Sequence, residues 1–289
     1  MGNLPIHLVA RAVREALLED IGPSDLTTES VVPPGTRARA SITAGTDLVV
    51  AGIEAATLCF LCLDPLARFP CTAPPGATIA AGGIILSVEA EAAAILAAER
   101  TALNFLGRLC GIATLTRRCV ALVQGTRASI YDTRKTTPGL RLLERNAVAM
   151  GGGRNHRFGL HDAILIKDNH LRLAGGVEAA VTAARARHPQ SRGSRPVIEV
   201  EIDRLEDLAA AIDAGADIVL LDNMTPAQVG MAVSAAAGRI VLEASGGITF
   251  SNLTDFAATG VDRISLGALT HSAPASDVGL WIEPITSDG

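Results

Sequence analysis

Apolar and polar positions change rhythm twice along this chain. Over the first ninety or so residues, "VVPPGTRARASITAG" and "CTAPPGATIAAGGIILSVEA" each start from a Pro-Pro-Gly turn and lead into alternating or apolar runs, as strands with turns at their ends do. From Glu91 to about Gln124 the spacing turns helical, with Leu96, Leu103, Leu106 and Leu109 near one stripe. Gly107 and Gly111 in that stretch mark a break or a close helix contact.

Beyond it, short β-branched runs alternate with Ala-rich helical segments such as "GVEAAVTAARARH" and "RLEDLAAAIDAG". The runs predict strands at 128–134, 162–169, 196–202, 217–223, 239–246 and 263–269. Strands apolar on both faces and separated by helices are the signature of parallel βα units covered on the outside. Six of them point to an incomplete α/β barrel of the TIM type preceded by an N-terminal α/β (α+β) domain, although periodicity leaves a doubly wound open sheet possible. The expected division is 1–110 for the N-terminal domain and 111–271 for the barrel, with the tail 272–289 packing back on the first domain.

Polar residues fall where a barrel places its chemistry, at the carboxyl ends of the strands. The first predicted strand runs into Thr133, Arg134 and Lys135, the second into Lys167 and the fourth into Asp222. The fifth ends in Ser245, Gly246 and Gly247, and the sixth carries Ser265, Leu266 and Gly267 with His271 beyond. Glu199 and Glu201 are two apart on the third strand and share one face, either into the barrel or outward. A single strand-end charge is usually just solvated; repetition over five strands makes that reading insufficient.

The late glycine turns suit a phosphate held by backbone N–H groups. Cations crowd residues 127–157, where Arg127, Arg134, Lys135, Arg141, Arg145, Arg154 and Arg157 face only Asp132 and Glu144 in a chain of net charge −5. That is a local anion site and not a nucleic-acid surface. Guanidinium forks match carboxylates, and lysines act as point charges toward a pyrophosphate. Glu199 and Asp222 offer oxygen ligands to Mg2+, directly or through water, or stabilise a developing positive charge. "GGGRNHRFG" follows a helical stretch and lacks G-x-G-x-x-G spacing, so it is not read as a dinucleotide loop.

The remaining composition narrows the setting. The hydrophobic fraction is 48 % and the charged fraction 19 %, which describe a folded globular chain. The first twenty residues read as an amphipathic helix and not a secretion signal. "LVVAGIEAATLCFLCL" falls short of the ~20 apolar residues that span a bilayer. Five cysteines without an export signal indicate reduced thiols in the cytoplasm, and the Cys59/Cys62 pair, lacking a second pair at zinc spacing, reads as core thiols.

Taken together, "DTRKTTPGLR", "GGGRNHRFGLHDAILIKDNH", "IEVEI", "LLDN", "EASGGIT" and "ISLGALTHS" closely resemble the quinolinate phosphoribosyltransferase family, over about residues 20–281. The resemblance implies a dimeric type II phosphoribosyltransferase with a roughly seven-stranded incomplete barrel, one more strand than the sequence pattern yields. It implies conversion of quinolinate and 5-phosphoribosyl 1-pyrophosphate to nicotinate mononucleotide, pyrophosphate and CO2 in de novo NAD biosynthesis, with Mg2+. By motif, Arg134, His156 and Arg157 would bind the quinolinate carboxylates, assisted by Arg100 of the partner subunit. Lys135 and Lys167 would contact quinolinate or pyrophosphate, and Glu199 and Asp222 the ribose hydroxyls and Mg2+. Ser245 to Gly247 and Ser265 to Gly267 would hold the 5-phosphate, with His271 close by. Two rivals remain: a paralogous branch encoded with molybdate transporters, expected to lose parts of the "NHR…IKDN" constellation that is whole here, and a non-catalytic phosphate- or nucleotide-binding barrel, which would not need the arginines.

Overall fold

A computed structural model of the chain describes residues 4–188 and 195–285. In chain order the elements are α1 (Ile6–Ile21), α2 (Leu26–Val31), β1 (Arg37–Ala44), β2 (Leu48–Val49), α3 (Ile53–Leu63), β3 (Arg68–Thr72), β4 (Thr78–Ile79), β5 (Ile84–Glu91) and α4 (Ala92–Leu122). There follow β6 (Ser129–Tyr131), α5 (Arg141–Met150), β7 (Ile164–Ile166), α6 (Asp168–Ala174), α7 (Val177–Arg187), β8 (Ile198–Ile202), α8 (Asp207–Asp213) and β9 (Ile218–Asp222). The last are α9 (Pro226–Ala236), β10 (Val241–Ser245), α10 (Leu253–Ala257), β11 (Arg263–Ser265), α11 (Ala268–His271) and β12 (Val278–Pro284).

The chain divides into two compact units. One gathers the residues up to Arg117, 136–152 and those from 269 on; the other holds 118–135 and 153–268. The first unit is built on an antiparallel sheet in the order β12-β1-β5-β3, with β2 and β4 paired separately. In β1 burial largely alternates, Ala38, Ala40, Ile42 and Ala44 facing inward, as a sheet with one covered face requires. The chain's last described strand, β12, pairs with β1 from Ala38–Pro284 to Ala44–Val278; residues 286–289 of the expected tail lie outside the described residues.

Helix α4 runs without a break through Gly107, Gly111 and the expected boundary at 110, and the two units divide within it. The glycines serve close approach instead. A Cβ at Gly111 would lie 2.0 Å from the Pro274 carbonyl oxygen, and one at Gly107 3.0 Å from that of Ser276. The segment after α11 therefore lies directly against α4.

The second unit carries a parallel sheet in the order β6-β11-β10-β9-β8-β7. All six runs expected from the sequence are strands, shorter than the apolar patterns that announced them. β8 and β9 are buried along nearly their whole length, which explains the absence of alternation in their sequences. β6 and β7, consecutive among the strands, stand at opposite ends of the order, so the barrel is incomplete between them. Where a seventh strand would flank β6, a single parallel bridge joins Tyr131 to Arg154. Helix α9 shows how sharply its start is set: Thr225 caps it, its hydroxyl accepting from the Gln228 N–H while Gln228 Oε1 accepts from the Thr225 N–H, with Pro226 in the first turn. Among the described residues no helix is long and apolar enough to cross a membrane.

These packing differences are measurable. Gly111→Ala should cost about 1–3 kcal/mol in urea unfolding, because its methyl group meets backbone. Gly230→Ala, in α9 with nothing within 4 Å of the added Cβ, should gain about 1 kcal/mol from helix propensity. Equal effects at the two sites would contradict the close contact at Gly111.

Candidate active site

The short strand β6 delivers its polar residues immediately after Tyr131. Asp132 has no exposed surface, and a carboxylate so placed needs its lone pairs filled. Its Oδ1 accepts the His156 backbone N–H at 2.7 Å and its Oδ2 the Asn155 side-chain amide at 2.6 Å. Two further bonds join the loop to β6, from Arg154 N–H to the Ile130 carbonyl at 2.8 Å and from Asp132 N–H to the Arg154 carbonyl at 3.0 Å. The loop "RNHR" is thus fixed to the strand end. Farther on, Asp162 accepts the N–H groups of Phe158 at 2.5 Å and Gly159 at 2.9 Å, and Arg157 Nη1 donates to the Ala163 carbonyl at 3.1 Å.

This frame brings Arg134 and Arg157 together. Burial lowers the Arg157 pKa from its ordinary value and the Arg134 charge lowers it further, the signature of two neighbouring guanidinium groups. Thr133 steadies the same segment, its hydroxyl accepting the Lys135 N–H at 3.1 Å.

Below them sits a buried cluster. His156 Nε2 lies 3.0 Å from Glu199 and 3.4 Å from Glu243. Its Nδ1 accepts the Arg157 N–H at 2.8 Å, so the ring carries a proton on Nε2, directed at the carboxylates. One ligand atom from each of the three side chains falls within 4.8 Å of the others. That spacing would admit a metal, but a metal needs the Nε2 lone pair where the hydrogen-bond pattern puts a proton. Burial works against the imidazolium, yet the Glu199 hydrogen bond and the charges of Glu199, Glu243 and Asp132 outweigh it and raise the His156 pKa. Burial and then the Glu199 charge push Glu243 up to about 7. Arg263, 3.9 Å away, works in the other direction.

The strand mouth has a second charge pattern. Lys167 Nζ forms an ion pair with Glu201. Burial raises the Asp222 pKa while Lys167 and Lys135 oppose the rise; burial also raises that of Glu201, Lys167 opposing it and Asp222 adding to it. Lys135, Lys167, Glu201 and Asp222 therefore form one electrostatic group.

Glu199, expected to share Mg2+ with Asp222, is placed elsewhere. It is opposite Ile218 in the β8–β9 ladder; Asp222 is four residues farther along β9, a rise of about 13 Å. Glu201 is opposite Leu220, one side-chain step from Asp222. Glu201, which the "IEVEI" alternation put on the same strand face as Glu199 without a role of its own, is the glutamate that stands with Lys167 near Asp222.

The glycine cradle has a packing cause. Gly246 has φ 84°, and a Cβ there would lie 2.2 Å from Asn223 Oδ1. Asn223 itself has φ 56°, donates its N–H to the Ser245 carbonyl at 2.9 Å and its side-chain amide to Asp222 at 2.7 Å. Gly247, also left-handed at φ 64°, completes the turn. Ser265 and Leu266 are buried, and the Leu266 N–H is spent on the Tyr131 carbonyl at 2.9 Å; Gly267, the last residue of the "SLG" turn, is half-buried. Arg100 and His271 belong to the first unit. Arg100 is exposed on α4, and His271 Nδ1 is 2.6 Å from Ser272 Oγ. Of the cysteines, Cys59 is buried, its thiol pushed up to about 12, while Cys62 faces outward, so the expected core pair is half exposed.

A parallel βα sheet with paired cations and carboxylates at its carboxyl end, beside a glycine turn built for close backbone approach, defines an enzyme of the α/β-barrel class acting on a polyanionic substrate. Family comparison specifies it further. Residues 25–110 match the quinolinate phosphoribosyl transferase N-terminal domain and residues 112–281 the C-terminal domain. The chain is 42 % identical over 277 residues to the nicotinate-nucleotide pyrophosphorylase [carboxylating] of Mycobacterium leprae (strain TN), covering 93 % of this chain and 95 % of that one. It is 36 % identical over 295 residues to quinolinate phosphoribosyltransferase [decarboxylating] 1 of Nicotiana glauca, covering 96 % and 83 %. The solved nicotinate-nucleotide pyrophosphorylase of Francisella tularensis superimposes with a TM-score of 0.91 at 39 % identity, over 97 % of this chain and 98 % of that one. The chain belongs to the quinolinate phosphoribosyltransferase family.

The Glu243 environment makes a pH prediction. Because its folded pKa of about 7 exceeds the ordinary 4.5, the folded protein keeps a proton that the unfolded chain has released between those values. Stability therefore falls as pH rises through that window and stays lower above it. Glu243→Gln should remove the loss, gaining on the order of 3 kcal/mol over wild type above neutral pH and little below pH 4.5 in urea unfolding. Parallel pH curves for the two proteins would refute the assignment.

Proposed function

We propose that this chain catalyses the reaction its relatives are named for, joining quinolinate to 5-phosphoribosyl 1-pyrophosphate with release of pyrophosphate and CO2, in NAD biosynthesis. The observation that carries the reading is the adjacency of Arg134 and Arg157 on a loop fixed by buried Asp132. Two half-buried planar cations near enough to repel each other favour a rigid dicarboxylate over a monoanion.

Arg134 and Arg157 take the two carboxylates and His156 shapes the pocket floor, leaving the ring nitrogen directed toward the ribose. Lys135 and Lys167 neutralise the pyrophosphate. Its C1–O bond breaks with the electron pair on the leaving oxygen, and Glu201 and Asp222 stabilise the positive charge that develops on the ribose. The ring nitrogen then supplies its pair to C1 and becomes cationic. That positive nitrogen is the sink for decarboxylation: the bond from C2 to its carboxylate breaks, CO2 leaves, and the pair held at C2 takes up a proton. The 245–247 turn and Gly267 hold the 5-phosphate, glycine letting the backbone approach it closely; Ser265 and Leu266, both buried, shape the turn behind it.

Mg2+ fits Asp222 with Glu201, directly or through water, better than Asp222 with Glu199, whose carboxylate is engaged by His156. When bound it would neutralise pyrophosphate charge. The family resemblance also supports a cytoplasmic homodimer in which Arg100 reaches the partner's site.

The direct test supplies Mg2+, quinolinate and phosphoribosyl pyrophosphate and measures CO2: no release while both substrates bind would reject the activity. Arg134→Ala should weaken quinolinate binding by about 2–5 kcal/mol and phosphoribosyl pyrophosphate binding far less; equal losses would mean the anion is misassigned. For the dimer, mixing inactive Arg100→Ala with inactive Lys135→Ala chains should restore part of the activity through hybrid sites. Confirmed heterodimers without recovery would exclude a shared site.

A further inference from the structure

Glu144 lies on α5 with no exposed surface and no direct place among the anion-binding residues. Its carboxylate is nonetheless saturated. Oε1 accepts from Arg108 Nε at 3.1 Å, Arg108 Nη2 at 2.8 Å and the Thr137 hydroxyl at 2.7 Å, and Oε2 accepts the Thr137 backbone N–H at 3.0 Å. A buried ion pair contributes little net stability unless its remaining hydrogens and lone pairs are also used, and here they are used on two loops.

Arg108, on α4, spends its other hydrogens on backbone carbonyls of the segment after β11. Nη1 donates to Ala273 at 3.2 Å and Nη2 also reaches the Thr270 carbonyl. The neighbouring glycines let that segment lie against the helix, and Ser276 N–H closes the contact by donating to the Gly107 carbonyl at 2.8 Å. The two anchored points sit beside residues expected to meet the anionic substrates: Thr137 follows Arg134 by three residues and Lys135 by two, and Thr270 immediately precedes His271.

We propose that Arg108 and Glu144 are positioning residues for the reaction, one ion pair fixing both the segment that bears Arg134 and Lys135 and the segment that bears His271. Each segment is then ordered before an anion arrives, so binding does not bear the entropy of ordering it. The guanidinium spreads its donors over three nitrogens and so serves a carboxylate and two carbonyls at once; lysine has three hydrogens but carries them on one nitrogen and lacks that spread. This inference rests on the family activity for its kinetic readout but not for its structural one.

Two variants test it. Thr137→Val keeps the ion pair and the backbone bond and deletes only the hydroxyl donor. Arg108→Lys keeps the charge and loses the fork. Both are compared with wild type by steady-state kinetics, thermal melting and amide hydrogen exchange in the absence of substrate. Thr137→Val should raise the KM for quinolinate about five-fold with the KM for phosphoribosyl pyrophosphate within about two-fold, and speed exchange at 133–140 alone. Arg108→Lys should raise both KM values, about ten-fold, and speed exchange at 133–140 and 270–276. Lower melting temperatures with both KM values and both exchange patterns unchanged would make the pair purely structural and overturn the proposal. Wild-type protein without turnover would reject the activity instead; exchange would then decide the inference, wild-type rates in both variants overturning it and the two distinct patterns supporting it. If Arg108→Lys does not fold, Thr137→Val decides alone.

Discussion

The geometry of the catalytic face depends on one buried carboxylate. Asp132 stands at the end of β6 and reaches across to Asn155 and the His156 backbone, so a loop that would otherwise hang from α5 becomes an extension of the sheet. An ionised carboxylate with no water contact would be costly if either oxygen were idle; each has a short hydrogen bond. The same loop makes the one-residue parallel bridge at Arg154, which stands where a further strand of the barrel would lie. The open edge of β6 is thus covered at that point by the backbone of the loop that presents His156 and Arg157.

From that anchor the charges sort by depth. Arg134 and Arg157 are neighbours whose repulsion favours an anion between them, whereas His156, Glu199 and Glu243 lie in the interior, the imidazole Nε2 within reach of both carboxylates. At the mouth, Lys167 bridges toward Glu201 and the lysine charges temper the carboxyls of Glu201 and Asp222. Opposite charges so close in partly buried surroundings temper one another, the lysines holding down the rise that burial imposes on the two carboxyls.

How much of this the sequence made legible follows from what local pattern encodes. The six parallel strands were readable because strands covered on both faces must be apolar throughout, and "DIVLLDN" or "PVIEVEI" has few other interpretations. Their ends were read too long: residues such as Asp132 to Arg134 keep the composition of a strand edge while leaving the ladder to bond the neighbouring loop. Facing was also legible, since Glu199 and Glu201 had to share a side. Depth was not, because which glutamate meets Asp222 is decided by the β8–β9 register, a relation between segments twenty residues apart. Glu243 was hidden for a similar reason. One glutamate in "RIVLEASG" gives no sign that His156 and Glu199 converge on it from other elements, and Glu144 reads as an ordinary helix carboxylate until Thr137 and Arg108 are brought to it.

The glycines separate the two kinds of information most clearly. At Gly246 the demand comes from Asn223, whose own left-handed backbone directs its amide to Asp222 and leaves no room for a Cβ on the facing strand. "LLDN" and "EASGG" are therefore one structural unit written in two places: the asparagine orients the carboxylate, and the glycine admits the asparagine. At Gly107 and Gly111 the demand comes from backbone laid against a helix. A helix free of such contacts would gain from alanine at both positions, so keeping glycine there costs α4 intrinsic stability in exchange for seating the segment that follows His271. The same helix carries Arg108 between those glycines, and the residues that loosen its propensity are the ones that let its arginine reach two carbonyls at once.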